Sequence, residues 1–151
     1  MGRLLSMLGL CLMAARVLSG SDQSIKIKGT LYCEAAKNGE KAWLELYDDD
    51  SGNNDDDMDS KTVRFANKRA QFTMQGYASD PIGNIDVHFK VYHDCADHKP
   101  CQRRYKAKIN DDYVESGRHP TKIYDMGEIR LDTVLSGEER DCNPMRSAGI
   151  L

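Results

Sequence analysis

The sequence predicts an all-β domain built as a two-sheet antiparallel sandwich and stapled by disulfides. Three observations carry this reading. Apolar and polar residues alternate with a period of two in several short stretches, the mark of half-buried strands. Turn-forming clusters separate those stretches at roughly ten-residue intervals, the spacing of a β-sandwich of about 100 residues. No stretch holds a 3.6-residue apolar period long enough for an amphipathic helix.

Residues 1–20, MGRLLSMLGLCLMAARVLSG, combine a basic Arg3, an apolar run from Leu4 to Ala15 and small residues at Ser19 and Gly20. That pattern is a secretory signal peptide with cleavage near Ser19 or Gly20. Its apolar run is about 12 residues, against the ~20 that a spanning helix needs, so a leader is expected rather than an anchor. No later segment is apolar enough to span, and the mature product is expected to be extracellular and not transmembrane. Removing the leader takes away Arg3, Arg16 and Cys11, which lowers the formal charge from −3 by two. This acidic balance argues against a nucleic-acid partner. Cys33, Cys95, Cys101 and Cys142 remain, and an even count in a small secreted chain implies two disulfides. Residues 21–136 then form one domain, and 137–151 a polar tail tethered by Cys142.

The first strand is expected from Ile25 to Cys33, with Ile25, Ile27, Leu31 and Cys33 on one face and Gly29 marking a bulge or a close approach. A second runs from Ala42 to Asp48, with Leu44 and Leu46 inward and Glu45 and Tyr47 outward; Trp43 falls on the nominally exposed face. Asp48 to Ser60 contains seven aspartates and no aliphatic side chain except Met58, and reads as a long surface loop. Short strands follow at Thr62 to Phe65 and Ala70 to Gln75, and Gly76 to Asn84 is dense in turn residues. The longest signal is a hairpin from Ile85 to Ile109. Ile85, Val87, Phe89 and Val91 form its apolar face, and Arg104, Lys106 and Lys108 line the opposite face of its second strand. Asn110 to Pro120 reads as a loop and Lys122 to Leu131 as holding the last strand.

Several of these features occur in a recognisable order. They are Ile27-x-Gly29-x-Leu31-x-Cys33, the aspartate-rich stretch, Gln75-Gly76, His93-x-Cys95, Cys101-x-Arg103 and Tyr124-Asp125-x-Gly127-x-Ile129-x-Leu131. In this order the chain resembles the nematode transthyretin-like family of small secreted proteins, from about Ile25 to Cys142. The resemblance implies the transthyretin (prealbumin-like) sandwich and a non-enzymatic role. Some family members are linked to recognising exposed phosphatidylserine and bridging it to an engulfment receptor. More distant cousins of the fold carry thyroid hormone or hydrolyse 5-hydroxyisourate. The hydrolases end in Tyr-Arg-Gly-Ser, whereas this chain ends Ser147-Ala148-Gly149-Ile150-Leu151. A carrier of a small hydrophobic ligand is the alternative function, and it requires an oligomer with an apolar channel.

Four cysteines allow three pairings. The short loop between Cys95 and Cys101 favours joining those two, which leaves Cys33 with Cys142. His93, Cys95, His98 and Cys101 have the composition of a zinc site, but oxidised cysteines offer no thiolate, and His93 is expected to continue the buried face and donate a hydrogen bond. In the aspartate-rich stretch, Asp48, Asp50, Asp55 and Asp57 are candidate ligands for weakly held calcium. The register is not that of an EF-hand, since Gly52 comes one residue early and the twelfth position is Asp59. No other cofactor is expected. Arg103, Arg104, Lys106 and Lys108 are the candidate contacts to an anionic lipid surface or to an extracellular protein. No nucleophile stands beside a base in any catalytic motif, GxSxG is absent, and no catalytic residues are assigned. His88 and His119 read as isolated surface side chains.

Overall fold

The computed structural model describes residues 21–50 and 55–142. The expected leader, the end of the expected tail and the centre of the aspartate-rich stretch lie outside the described residues. The first sheet is organised around β1 (Gln23–Tyr32), which pairs along its whole length with β4 (Arg69–Ala78). On its other edge β1 meets the two-residue β7 (Glu115–Ser116) and then β8 (Tyr124–Arg130). The second sheet has the order β3-β2-β5-β6-β9, from β3 (Asp56–Arg64), β2 (Lys41–Asp48), β5 (Val87–His93), β6 (Gln102–Lys108) and β9 (Glu139–Asp141). One pairing departs from the antiparallel expectation: β8 runs parallel to β1. The chain passes β1 antiparallel as β7, reverses after Gly117 (φ 91°), and returns along the same edge in the direction of β1.

The alternation read from the sequence becomes the core. Ile25, Ile27 and Leu31 of β1 face Leu44, Leu46, Val87, Phe89 and Val91 of the second sheet, all fully buried. Phe72 of β4 stacks on Phe89 of β5 across the interface, centroids 5.0 Å apart. Gly29 is both a bulge and a close approach. The β1–β8 register shifts between Lys28 and Thr30, and a Cβ at Gly29 would lie 2.7 Å from the Phe72 ring. Gly76 has the same role where β3 crosses β4, since its Cβ would lie 2.6 Å from the Met58 carbonyl oxygen. Among the described residues no helix is long and apolar enough to cross a membrane.

Three more expectations are corrected. The aspartate-rich stretch is not a loop throughout, because β3 begins at Asp56 and pairs with β2 as far as Arg64. Asp56, Asp57 and Asp59 occupy this edge strand, where backbone pairing to one neighbour suffices and charged side chains discourage further pairing. The disulfides are Cys33–Cys95 and Cys101–Cys142, not 95–101 and 33–142. Cys33 and Cys95 leave β1 and β5, on opposite sheets, toward the core and are both buried. Gln102 pairs with Asp141, which sets Cys101 beside Cys142. The two closed loops follow one another along the chain without overlapping. Residues 139–141, expected in the tail, are thus a strand of the second sheet.

Candidate binding surface

The outer face of β6 carries the basic ladder, as the alternation predicts. In register, Arg104 lies opposite Tyr92, Lys106 opposite Lys90, and Lys108 opposite His88. Each ladder residue already has a carboxylate. Arg104 pairs with Glu139 and, at 2.9 Å, with Asp141 of β9. Lys106 reaches Asp49 at 2.5 Å, and Lys108 reaches Asp86 at 2.9 Å. The Lys106 contact in turn holds the Asp49 carboxyl below its ordinary range. Burial alone would lower the Lys106 ammonium, but its bond to Asp49 raises it, and Asp86 raises Lys108. The ladder is thus neutralised mainly from β9 and Asp86, and it meets the acidic stretch at one point, the Lys106–Asp49 pair.

Arg103 is not on this face. It points into the sandwich, where its side chain is 7% exposed. Nε and Nη2 donate to Glu138 at 2.5 and 2.9 Å, Nη1 to the carbonyls of Cys95 and Leu131 at 2.9 and 2.8 Å, and Nη2 to Thr133 O at 2.7 Å. These bonds use all five guanidinium donors. Burial works to raise the Glu138 carboxyl, yet the Arg103 bonds hold it below its ordinary value. The residue is a structural bolt between β6 and the segment after β8, unavailable to an outside ligand.

The expected calcium ligands divide. Asp55 pairs with Lys90 at 3.7 Å, and Asp57 sits exposed on β3 opposite Tyr47. Asp48 and Asp50 instead come together with Asp80 of the β4–β5 loop, a residue that no sequence spacing connects to them. Burial pushes the Asp48 carboxyl up to about 6, against the bond it accepts from the Asp86 N–H. The Asp80 carboxyl is likewise raised, first by burial and then by Asp50. The four candidate zinc donors are also accounted for: both cysteines are bridged elsewhere, His98 is exposed, and His93 is buried.

Residues 28–110 match the profile of the transthyretin-like family. Transthyretin-like protein 5 of Caenorhabditis elegans is 40% identical over 88% of this chain and 94% of its own length. The chain belongs to the transthyretin-like family. Transthyretin-like protein 33 of the same species is 36% identical over 80% of this chain and 82% of its own length. Among solved structures, a 9R-lipoxygenase from Cyanothece PCC8801 is similar at a TM-score of 0.35 and 19% identity, over 72% of this chain and 16% of that one.

Beyond the ladder, this transthyretin-like protein has a polar and aromatic cluster on the same outer face that sequence reasoning missed. Trp43 and Tyr92 both donate to Glu45, at 3.0 and 3.2 Å. Lys90 sits 3.6 Å from the centre of the Tyr47 ring, and His88 stacks on its edge of the cluster, 5.7 Å from Tyr47. His88 is therefore not a surface side chain. Its Nδ1 lies 3.5 Å from Asp49. Burial pushes the Tyr47 hydroxyl up to about 12, and burial followed by the Glu45 charge raises that of Tyr92. Period-two alternation places all six outward, but alternation is blind to what an outer face packs against. His93, on the inner face, accepts a hydrogen bond from the Cys95 N–H at 3.2 Å rather than donating one.

Proposed function

We propose that this chain is a secreted, non-enzymatic binding protein that recognises a protein partner on the cell surface through the outer face of β5 and β6. Family membership and two disulfides support an extracellular life. The observation that carries the choice of partner is the pairing of the ladder. Arg104, Lys106 and Lys108 share one accessible face, with side chains 28%, 41% and 53% exposed, and every one of them faces a carboxylate. A phosphatidylserine surface would have to displace Glu139, Asp141, Asp49 and Asp86 from those cations. A protein patch of mixed charge can instead match acids and bases together, which favours specificity and register.

The test is binding of the labelled, oxidised protein to intact cells before and after mild protease shaving, beside co-sedimentation with phosphatidylserine and phosphatidylcholine vesicles. The expected result is loss of cell binding on shaving, weakened binding for R104A/K106A/K108A, and no preference between vesicles at physiological salt. Selective, salt-sensitive capture by phosphatidylserine that the triple variant loses would make the lipid the partner and end the protein reading.

A further inference from the structure

Along β2 the core-facing positions are Ala42, Leu44, Leu46 and Asp48. The fourth is an aspartate where the pattern demands an apolar side chain, and Asp48 is 1% exposed. One of its oxygens accepts the Asp86 N–H at 2.5 Å, while Oδ2 is buried with no hydrogen-bond partner. A carboxylate held this way is unfavourable unless a counter-charge meets its free oxygen. Carboxylate oxygens of Asp48, Asp50 and Asp80 lie within 4.8 Å of one another. Among the described residues none of these three takes part in an ion pair, in a region where Asp49, Asp55 and Asp86 all do. Asp56 adds further negative charge beside Asp48.

We propose that Asp48, Asp50 and Asp80 form a calcium site that ties the end of β2 to the loop between β4 and β5. The buried Oδ2 of Asp48 supplies the fixed ligand, and the half-buried Asp50 and Asp80 close on the ion from two chain segments. Three oxygens within 4.8 Å of one another need close by no more than a few tenths of an ångström for all to touch one ion at the roughly 2.3–2.6 Å of calcium coordination. Three carboxylates leave room for the water and carbonyl ligands that calcium's variable shell accepts, whereas magnesium's strict octahedron is poorly served. β2 belongs to the second sheet, and the β4–β5 loop leaves the first. The ion would thus bridge the sheets at the end opposite the Cys33–Cys95 disulfide. This site does not depend on the cell-surface reading, and its test involves no cell or vesicle.

Calorimetric titration of the oxidised protein with calcium chloride, then magnesium chloride, tests it. One calcium per chain is expected, with a dissociation constant of about 10⁻⁴–10⁻³ M as in extracellular modules, and weaker magnesium binding. Asp80→Asn lies on a loop and leaves the strand pairing of β2 intact; it is expected to weaken calcium binding about tenfold or more through loss of a charged ligand. Asp57→Asn, equally acidic in composition but outside the cluster, is expected to leave affinity unchanged. Calcium should also protect the Asp86 amide from hydrogen exchange in the parent protein and not in D80N. Absence of saturable binding at millimolar calcium overturns the proposal, and so does equal weakening by D57N and D80N, which would mark diffuse attraction to the acidic stretch.

Discussion

Truncating Arg103 to alanine would leave the buried Glu138 carboxylate and the carbonyls of Cys95, Leu131 and Thr133 without their donor. The expected cost is about 3–5 kcal/mol, seen as a lower urea midpoint with an unchanged slope. R103K should recover little, because an ammonium cannot present a planar fork to a carboxylate and three carbonyls at once. His93 makes a second prediction. Burial, and then the neighbouring Arg103 charge, lower its imidazole to about 4, against opposing pulls from Glu138 and Asp97. The unfolded chain therefore binds the extra proton first. Stability from this group is complete above about 6.5 and is lost as pH falls toward 4, by on the order of 2–3 kcal/mol. Asp48, with its raised carboxyl, acts in the opposite sense over much of the same window. His93→Asn keeps an acceptor for the Cys95 N–H and removes the titration. Urea midpoints at pH 7 and pH 4.5 should differ less in H93N than in the parent protein; equal differences would remove His93 from the account.

At the scale of elements, the join between β3 and β4 closes one edge of the sandwich, and Gly76 is what permits it. A methyl group there meets the Cβ, carbonyl carbon and oxygen of Met58 within 2.6–2.8 Å. G76A is expected to cost about 1–3 kcal/mol by forcing the two backbones apart, and thermal denaturation would show it. Central strands were legible because their core faces alternate without interruption, as in Ile85 to Val91. β3 was not, since an edge strand needs few apolar positions and this one has only Met58 and Val63 facing inward. β9 escaped for the same reason, being three charged residues held by register with β6 and by the Arg104 pairs. The basic ladder was placed correctly from period-two spacing. Its counter-charges were invisible, because Asp49 and Asp86 are 57 and 22 positions from the lysines they meet.

For the whole molecule, the pairing of the cysteines is the feature that local spacing misled. Proximity in sequence favoured 95–101, whereas the fold sends Cys95 inward to the facing sheet and Cys101 outward to β9. Peptide mapping without reduction should yield only the 33–95 and 101–142 linkages. Removing either bridge as a paired alanine variant is expected to cost about 2–5 kcal/mol. Under graded reductant with alkylation, the exposed Cys101–Cys142 bridge should open before Cys33–Cys95, which has both sulfurs in the core. Gly76 and Gly29, read from the sequence as family landmarks, turn out to be contact points where a side chain would collide, at Gly76 with Met58 of the opposing sheet and at Gly29 with the Phe72 ring of the neighbouring strand.

Because the two bridges follow one another instead of interlocking, they also set how far the oxidised chain can be drawn out by its ends. Tension applied between Asp22 and Cys142 can straighten only the segments before Cys33 and between Cys95 and Cys101, about 60 Å at ~3.5 Å per residue. The reduced chain would reach roughly 420 Å on the same scale. A protein anchored to a surface through one end and to a partner through the other would therefore behave, while oxidised, as a short and nearly inextensible tether.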